Sequence, residues 1–168
     1  MKGLSEKEIR IVAFLEFNKK YFFNASEIES FCKDKIQRYN LIKNLLKKGR
    51  IVKLNKTRYY LVPIKAETGT WAEHPFVLID EICNGEGYAI GGWSAANYWH
   101  LTEQVPMMEE VYATKKQGIK NVLNTKIVFH RTSRKIVERA IIKKIQNHEF
   151  KILPKKETKK WMKSRRYL

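Results

Sequence analysis

Residues 35–47, KIQRYNLIKNLLK, carry two kinds of side chain at helical spacing. On a helical wheel, the side opposite Leu41 and Leu45 holds Gln37, Asn40, Lys43, Asn44 and Lys47, with Lys35 and Arg38 at its N-terminal end. Amides and cations are the groups that base edges and phosphates accept: Asn and Gln suit adenine, while Arg and Lys suit guanine or the backbone. After Asp34 that face carries no carboxylate. The chemistry on offer is recognition of duplex DNA. Lys53, Asn55, Lys56 and Arg58 follow around a turn and supply further cations for phosphate or the minor groove. The competing reading, a solvated basic face on a protein-interaction module, is given less weight.

Such a face must be held by other elements, and the preceding residues supply them. Ser5 and Glu8 have capping-box spacing, and Ile9, Val12, Ala13 and Phe17 then predict a first helix over Ser5 to Phe17. Asn24 and Glu27 start a shorter second helix that turns Ile28 and Phe31 inward. A third helix is expected from Asp34, its cap, to Lys48, with Leu41, Ile42, Leu45 and Leu46 inside and Gly49 ending it. Arg50–Leu54 and Arg58–Val62 read as two strands joined at Asn55-Lys56-Thr57, and Pro63 closes the unit. Three helices and a hairpin in this order predict a winged helix-turn-helix over residues 1–65.

Residues 66–168 predict a small mixed α/β domain, making the whole chain α+β. Ala66–Thr70 reads as a linker. Trp71, Pro75 and the run Phe76-Val77-Leu78-Ile79 open a new core, and Asn84-Gly85-Glu86-Gly87 marks a turn. Tyr88-Ala89-Ile90 is extended, Gly91-Gly92 breaks the chain, and Ser94 is expected to cap a helix running to about Leu101. Met108–Ala113 and Lys126–His130 resemble strands. The stretch after Ser133 admits two readings. Ile136, Val137, Ala140, Ile141 and Ile145 fit a helix, whereas the β-branched content of 140–145 and of 150–153 fits a hairpin turning at Asn147-His148, which is favoured. Lys155–Arg166 is too charged to bury and is expected to form a short exposed helix or tail pinned by Trp161.

The charge has the same organisation. The chain of 168 residues has a formal net charge of +17, which directs attention to polyanions. Residues 1–65 carry sixteen Lys/Arg against six Asp/Glu, residues 66–130 four against eight, and residues 131–168 fourteen against three. An acidic middle between two basic ends suggests two surfaces with different partners. No apolar run approaches the roughly 20 residues of a membrane span, and the first ten residues lack the apolar stretch of a secretory signal. Cys32 and Cys83 form no CxxC and have no nearby His pair, which argues against zinc or a disulfide and fits a reducing cytoplasm. His74, His100, His130 and His148 share no metal-ligand spacing, and no nucleophile, zinc or phosphate-loop motif occurs. Glu109-Glu110 is a carboxylate pair by adjacency only, since neighbours in a strand point opposite ways. No enzyme activity, cofactor or metal is expected.

Two segments also resemble a known family. Arg58-Tyr59-Tyr60-Leu61-Val62-Pro63 and the run from Tyr88 through Gly91-Gly92-Trp93-Ser94-Ala95-Ala96-Asn97-Tyr98-Trp99-His100-Leu101-Thr102-Glu103-Gln104-Val105-Pro106 are similar to the AbiEi-type antitoxins of type IV toxin–antitoxin systems. The resemblance covers roughly residues 5–130, and Ser94–Pro106 is its specific part. It implies a repressor that binds its own promoter through the N-terminal module. It also implies a C-terminal domain that counters a nucleotidyltransferase-like toxin, and two copies side by side on an inverted-repeat operator. Two other classes compete. One is an RNA-binding or ribosome-associated protein using the tail residues Trp161, Arg165, Arg166 and Tyr167. The other is an adaptor whose acidic middle docks a basic partner.

Overall fold

The computed structural model describes residues 3–64 and 73–165, and the chain divides into two units, Met1–Ala72 and Glu73–Leu168. The expected linker Ala66–Thr70, with Trp71, and the tail residues Arg166 and Tyr167 lie outside the described residues. The architecture is α+β. Among the described residues no helix is long and apolar enough to cross a membrane.

In the first unit, helix α1 spans Glu6–Phe17 and begins with the capping box that its spacing predicts. The Ser5 amide donates to the Glu8 carboxylate at 2.6 Å, and Ser5 Oγ accepts from the Glu8 amide. The buried side of α1, however, is Glu8, Ile11, Val12 and Leu15. Ile9 and Phe17, expected inside, are 53% and 88% exposed. Two apolar stripes run along this helix, and the one holding Ile11 and Leu15 meets the core. A strand that periodicity did not reveal, β1 (Phe22–Asn24), is too short to show alternation. The second helix is a 3-10 helix, Ala25–Phe31, capped reciprocally by Asn24 and Glu27. Helix α2 spans Lys35–Lys47, with Asp34 accepting from the Gln37 amide at 2.7 Å.

Gly49 ends α2 as expected for a residue just past the cap. Its φ is +69°, its amide donates to Leu46 O, and the Arg50 amide donates to Leu45 O. This 6→1 and 5→2 pairing closes the helix and turns the chain into β2 (Ile51–Lys53). Strand β3 (Arg58–Leu61) pairs antiparallel with β2 on one side and with β1 on the other. Ile11, Leu15, Phe23, Ile28, Leu41, Leu45, Ile51 and Leu61 close the core between helices and sheet.

The second unit is built on a mixed six-stranded sheet. Its strands are β4 (Tyr88–Ile90), β5 (Glu109–Ala113), β6 (Gly118–Val122), β7 (Thr125–Arg131), β8 (Ile141–Ile145) and β9 (His148–Ile152), in the order β6-β7-β5-β4-β9-β8. β4 runs antiparallel to β5 and parallel to β9, and β5 runs parallel to β7. Every residue of β4 is buried, as suits an inner strand.

The run Phe76–Ile79 is buried, as expected of a new core, and belongs to helix α3 (Pro75–Cys83), with Pro75 at its first position and His74 as cap. Other expectations change here. Helix α4 spans Gly92–Tyr98, with Gly91 rather than Ser94 at its cap; Ser94 is buried inside it. Both readings of the stretch after Ser133 hold in part. A one-turn helix α5 (Arg134–Val137) precedes the β8–β9 hairpin, which turns at Gln146-Asn147, one residue earlier than expected. Both turn residues have positive φ, 50° and 66°, the primed-turn geometry that matches strand twist. Strand β6 was not anticipated. It joins β7 through Leu123-Asn124, again with positive φ at both positions, and a Leu there gives no turn signal. Helix α6 (Lys155–Arg165) is the expected C-terminal helix.

Candidate nucleic-acid interface

The groups singled out in the first unit lie on α2 and on the β2–β3 hairpin. Leu41, Ile42 and Leu45 anchor α2, and Lys35, Asn40, Lys43, Asn44 and Lys47 are exposed. No described side chain engages any of these five in an ion pair or hydrogen bond. Gln37 and Arg38 differ. Gln37 is half-buried, and its Oε1 accepts from the Lys33 amide at 2.8 Å. Arg38 Nη1 lies 2.6 Å from Glu29 Oε1, with its side chain 19% exposed. Arg38 therefore ties the first turn of α2 to the 3-10 helix, while Gln37 closes the residues just before α2 onto that turn.

Two exposed side chains on the same helix were not singled out. Ile36 is 73% exposed and Tyr39 66%. Both lie among the amides and cations, one turn from Asn40 and Lys43 in the direction of the helix N-terminus. Their signal in the sequence was their failure to fit the Leu41/Leu45 stripe. On a DNA-facing helix such groups suit a thymine methyl or the sugar edge.

The hairpin turn is organised by Asn55. Its Oδ1 accepts from the amides of Thr57 and Arg58, both at 2.9 Å, which leaves Lys56 exposed at the tip. Lys53 is exposed, whereas Arg58 is half-buried. Arg58 is close enough to Glu27 to act on it. Burial opposes the Glu27 charge, but the Asn24 amide, Lys20 and Arg58 together hold its carboxyl below the ordinary range.

The second unit contains a polar cluster that the sequence did not suggest. Asp80 on α3 accepts from the fully buried Tyr88 hydroxyl at 2.7 Å, and its other oxygen lies 2.9 Å from His148 Nε2. The Lys151 amide donates to the Tyr88 hydroxyl, and Lys151 Nζ donates to Gly85 O. Burial, with Asp80 beside it, pushes the Tyr88 phenol far above its ordinary value, so it stays a donor. The cluster ties α3, β4 and β9 together. Among the described residues no group of three His, Cys, Asp or Glu side chains could hold a metal ion.

No protein-family model matches the chain, and no curated protein matches it. Among solved structures it is similar in fold to the RV2827C protein from Mycobacterium tuberculosis, with a TM-score of 0.54 and 14% sequence identity. The likeness covers 83% of this chain and 50% of that one, so this chain spans about half the length of its structural relative.

Proposed function

We propose that this protein is a DNA-binding transcriptional regulator whose first unit is a winged helix-turn-helix. Helix α2 enters the major groove and the β2–β3 hairpin reaches phosphate as the wing. One observation carries this reading: the outward face of α2 offers Lys35, Asn40, Lys43, Asn44 and Lys47 to solvent, unengaged and without a carboxylate. The order of elements supports it too, since a helix, a short strand, a second helix, α2 and a hairpin follow one another within residues 6–61. Gln37 and Arg38 position the helix, while Lys53, Lys56 and Arg58 supply the charge of the wing.

The resemblance to AbiEi-type antitoxins extends the proposal. In that extension the chain represses its own promoter in the cytoplasm, two copies sharing an inverted-repeat operator, and its second unit counters a nucleotidyltransferase-like toxin. The Ser94–Pro106 segment that carries the resemblance forms most of α4 and the loop after it. A nucleotidyltransferase-like gene beside this one, and rescue of cells expressing it, is the expected result for that extension.

The test of DNA binding is a titration of labelled duplex from the region upstream of the gene, followed by gel shift at several salt concentrations. Affinity is expected to fall with a log–log slope of about −0.9 per phosphate contact. Asn40→Ala is expected to cost about 1–3 kcal/mol on the preferred sequence, and Lys43→Ala to weaken all sequences and flatten the salt slope. Unchanged titrations for both variants would reject the regulator reading.

A further inference from the structure

The second unit carries an aromatic and cationic face that the α2 reading does not use. Trp93, at the start of α4, is 40% exposed and meets Trp161 of α6 edge-on, with ring centroids 5.3 Å apart at 82°. The Arg165 guanidinium lies 5.6 Å from the centre of the Trp161 ring. Beside them Tyr112 of β5 and His130 of β7 are neighbours at 5.5 Å. Glu110 fixes this arrangement from below. Its Oε2 accepts from the Trp93 amide at 2.8 Å, and its Oε1 lies 3.8 Å from His130 Nε2. Burial, then the Glu110 charge, raises the Tyr112 phenol, while Arg165 and the Trp161 indole act in the opposite direction. Four elements far apart in sequence thus bring their aromatic groups to one place.

The backbone beneath is shaped for this. Gly92 has φ +55°, and a Cβ there would overlap the Glu110 carboxylate; a Cβ on Gly91 would overlap the Tyr112 ring. The two glycines admit a carboxylate and a ring against the main chain. Around the rings the charge is strongly positive. Helix α6 presents Lys155, Lys156, Lys159, Lys160, Lys163 and Arg165 to solvent, against a single Glu157.

We propose that the Trp93–Trp161–Arg165 face binds a single-stranded nucleic-acid segment, stacking unpaired bases on its rings and holding phosphates with α6. Charge complementarity requires a polyanion. The rings select among polyanions, because a base offers a π-face only when it is unpaired. An anionic membrane fits less well, since the outward positions of α6 are Lys and Ser rather than an aliphatic stripe. This proposal is independent of duplex recognition by α2, so each can fail alone.

The experiment titrates the full chain with fluorescein-labelled single strands of about ten uridines or ten thymidines, within the usual footprint of such sites. Anisotropy gives affinity, and quenching of Trp emission reports stacking. Binding of at least one strand with quenching is expected; a preference for uridines assigns an RNA, and equal binding a generic single strand. Trp93→Leu keeps apolar bulk but removes the ring, and is expected to weaken binding about five- to hundred-fold. Lys159→Ala with Arg165→Ala, both exposed, is expected to reduce the salt dependence. Duplex titrations of all variants should match the wild type. No quenching by either strand, wild-type binding by both variants, or an equal loss of duplex affinity would each overturn the proposal.

Discussion

Lys48 Nζ, at the end of α2, lies 2.6 Å from Glu8 Oε2, in the first turn of α1, and Glu8 is only 1% exposed. The same carboxylate accepts from the Ser5 amide, so one buried charge both closes the capping box of α1 and ties the end of the proposed DNA-facing helix to it. Burial opposes the Glu8 charge, but the bonds from Lys48 and Ser5 outweigh that penalty and hold its carboxyl below the ordinary range. Lys48→Met keeps the stem of the side chain and strands the carboxylate. A loss of about 3 kcal/mol is expected, or a fall in melting temperature on the order of 10 °C. Thermal melts by far-UV circular dichroism check it, and a variant within 0.5 kcal/mol of the parent (roughly the scatter of surface changes) would show the pair to be inert.

Two carboxylates shape how the first unit responds to acid. Glu8 and Glu27 are both held below the carboxylate value of 4.5. Their contribution is therefore complete above pH 4.5 and is lost as pH falls through their lower folded values. Glu8→Gln, which cannot titrate, should show a shallower loss of stability over that acid range. Equal slopes for parent and variant would mean that Glu8 has the same affinity for protons folded and unfolded.

Tyr39 separates binding from folding. Its side chain is 66% exposed, so Tyr39→Ala should leave stability within about 0.5 kcal/mol of the parent. If α2 lies against a duplex, the same variant loses affinity there, and Tyr39→Phe recovers most of it when ring contact, not the hydroxyl, matters. Gel shifts beside a thermal melt decide this. Undiminished affinity in Tyr39→Ala would place this turn of α2 away from the DNA.

The sequence carried these elements unevenly, and the reasons are local. α2 was legible because three signals agree: the Asp34 cap, the Leu41/Ile42/Leu45 stripe and Gly49. α1 was legible as a helix but not in its rotation, because Ile9 and Phe17 compete with Ile11 and Leu15 for the inward side. β1 and β6 were missed for want of length and turn chemistry. The outward cations could be placed from spacing alone. The engagement of Arg38 with Glu29 could not, because it depends on how the 3-10 helix lies against α2. Nor could the Asp80–Tyr88–His148 cluster or the Trp93–Trp161 contact, whose members come from opposite ends of the unit. Gly91-Gly92 read as a break; its role is the close approach of Glu110 and Tyr112.

Glu109 gives the second unit the opposite response to acid. Burial pushes its carboxyl up, with only the Ser94 side chain drawing it back, and its Oε2 is buried without a hydrogen-bond partner. A carboxyl raised on folding favours the folded state fully below its unfolded value. That contribution is lost as pH rises through the raised folded value. Above the unfolded carboxyl value the group therefore costs the folded state stability, and Glu109→Gln, which cannot titrate, is expected to be more stable than the parent near neutral pH, the difference vanishing as pH falls below about 4. Trp93, Trp99 and Trp161, three of the four tryptophans of the chain, lie in this unit, so Trp emission is weighted towards it while circular dichroism follows both. Denaturant unfolding at pH 7.5 and at pH 4 checks the sign. A variant less stable than the parent at pH 7.5 would mean that the ionised carboxylate is compensated in the folded state.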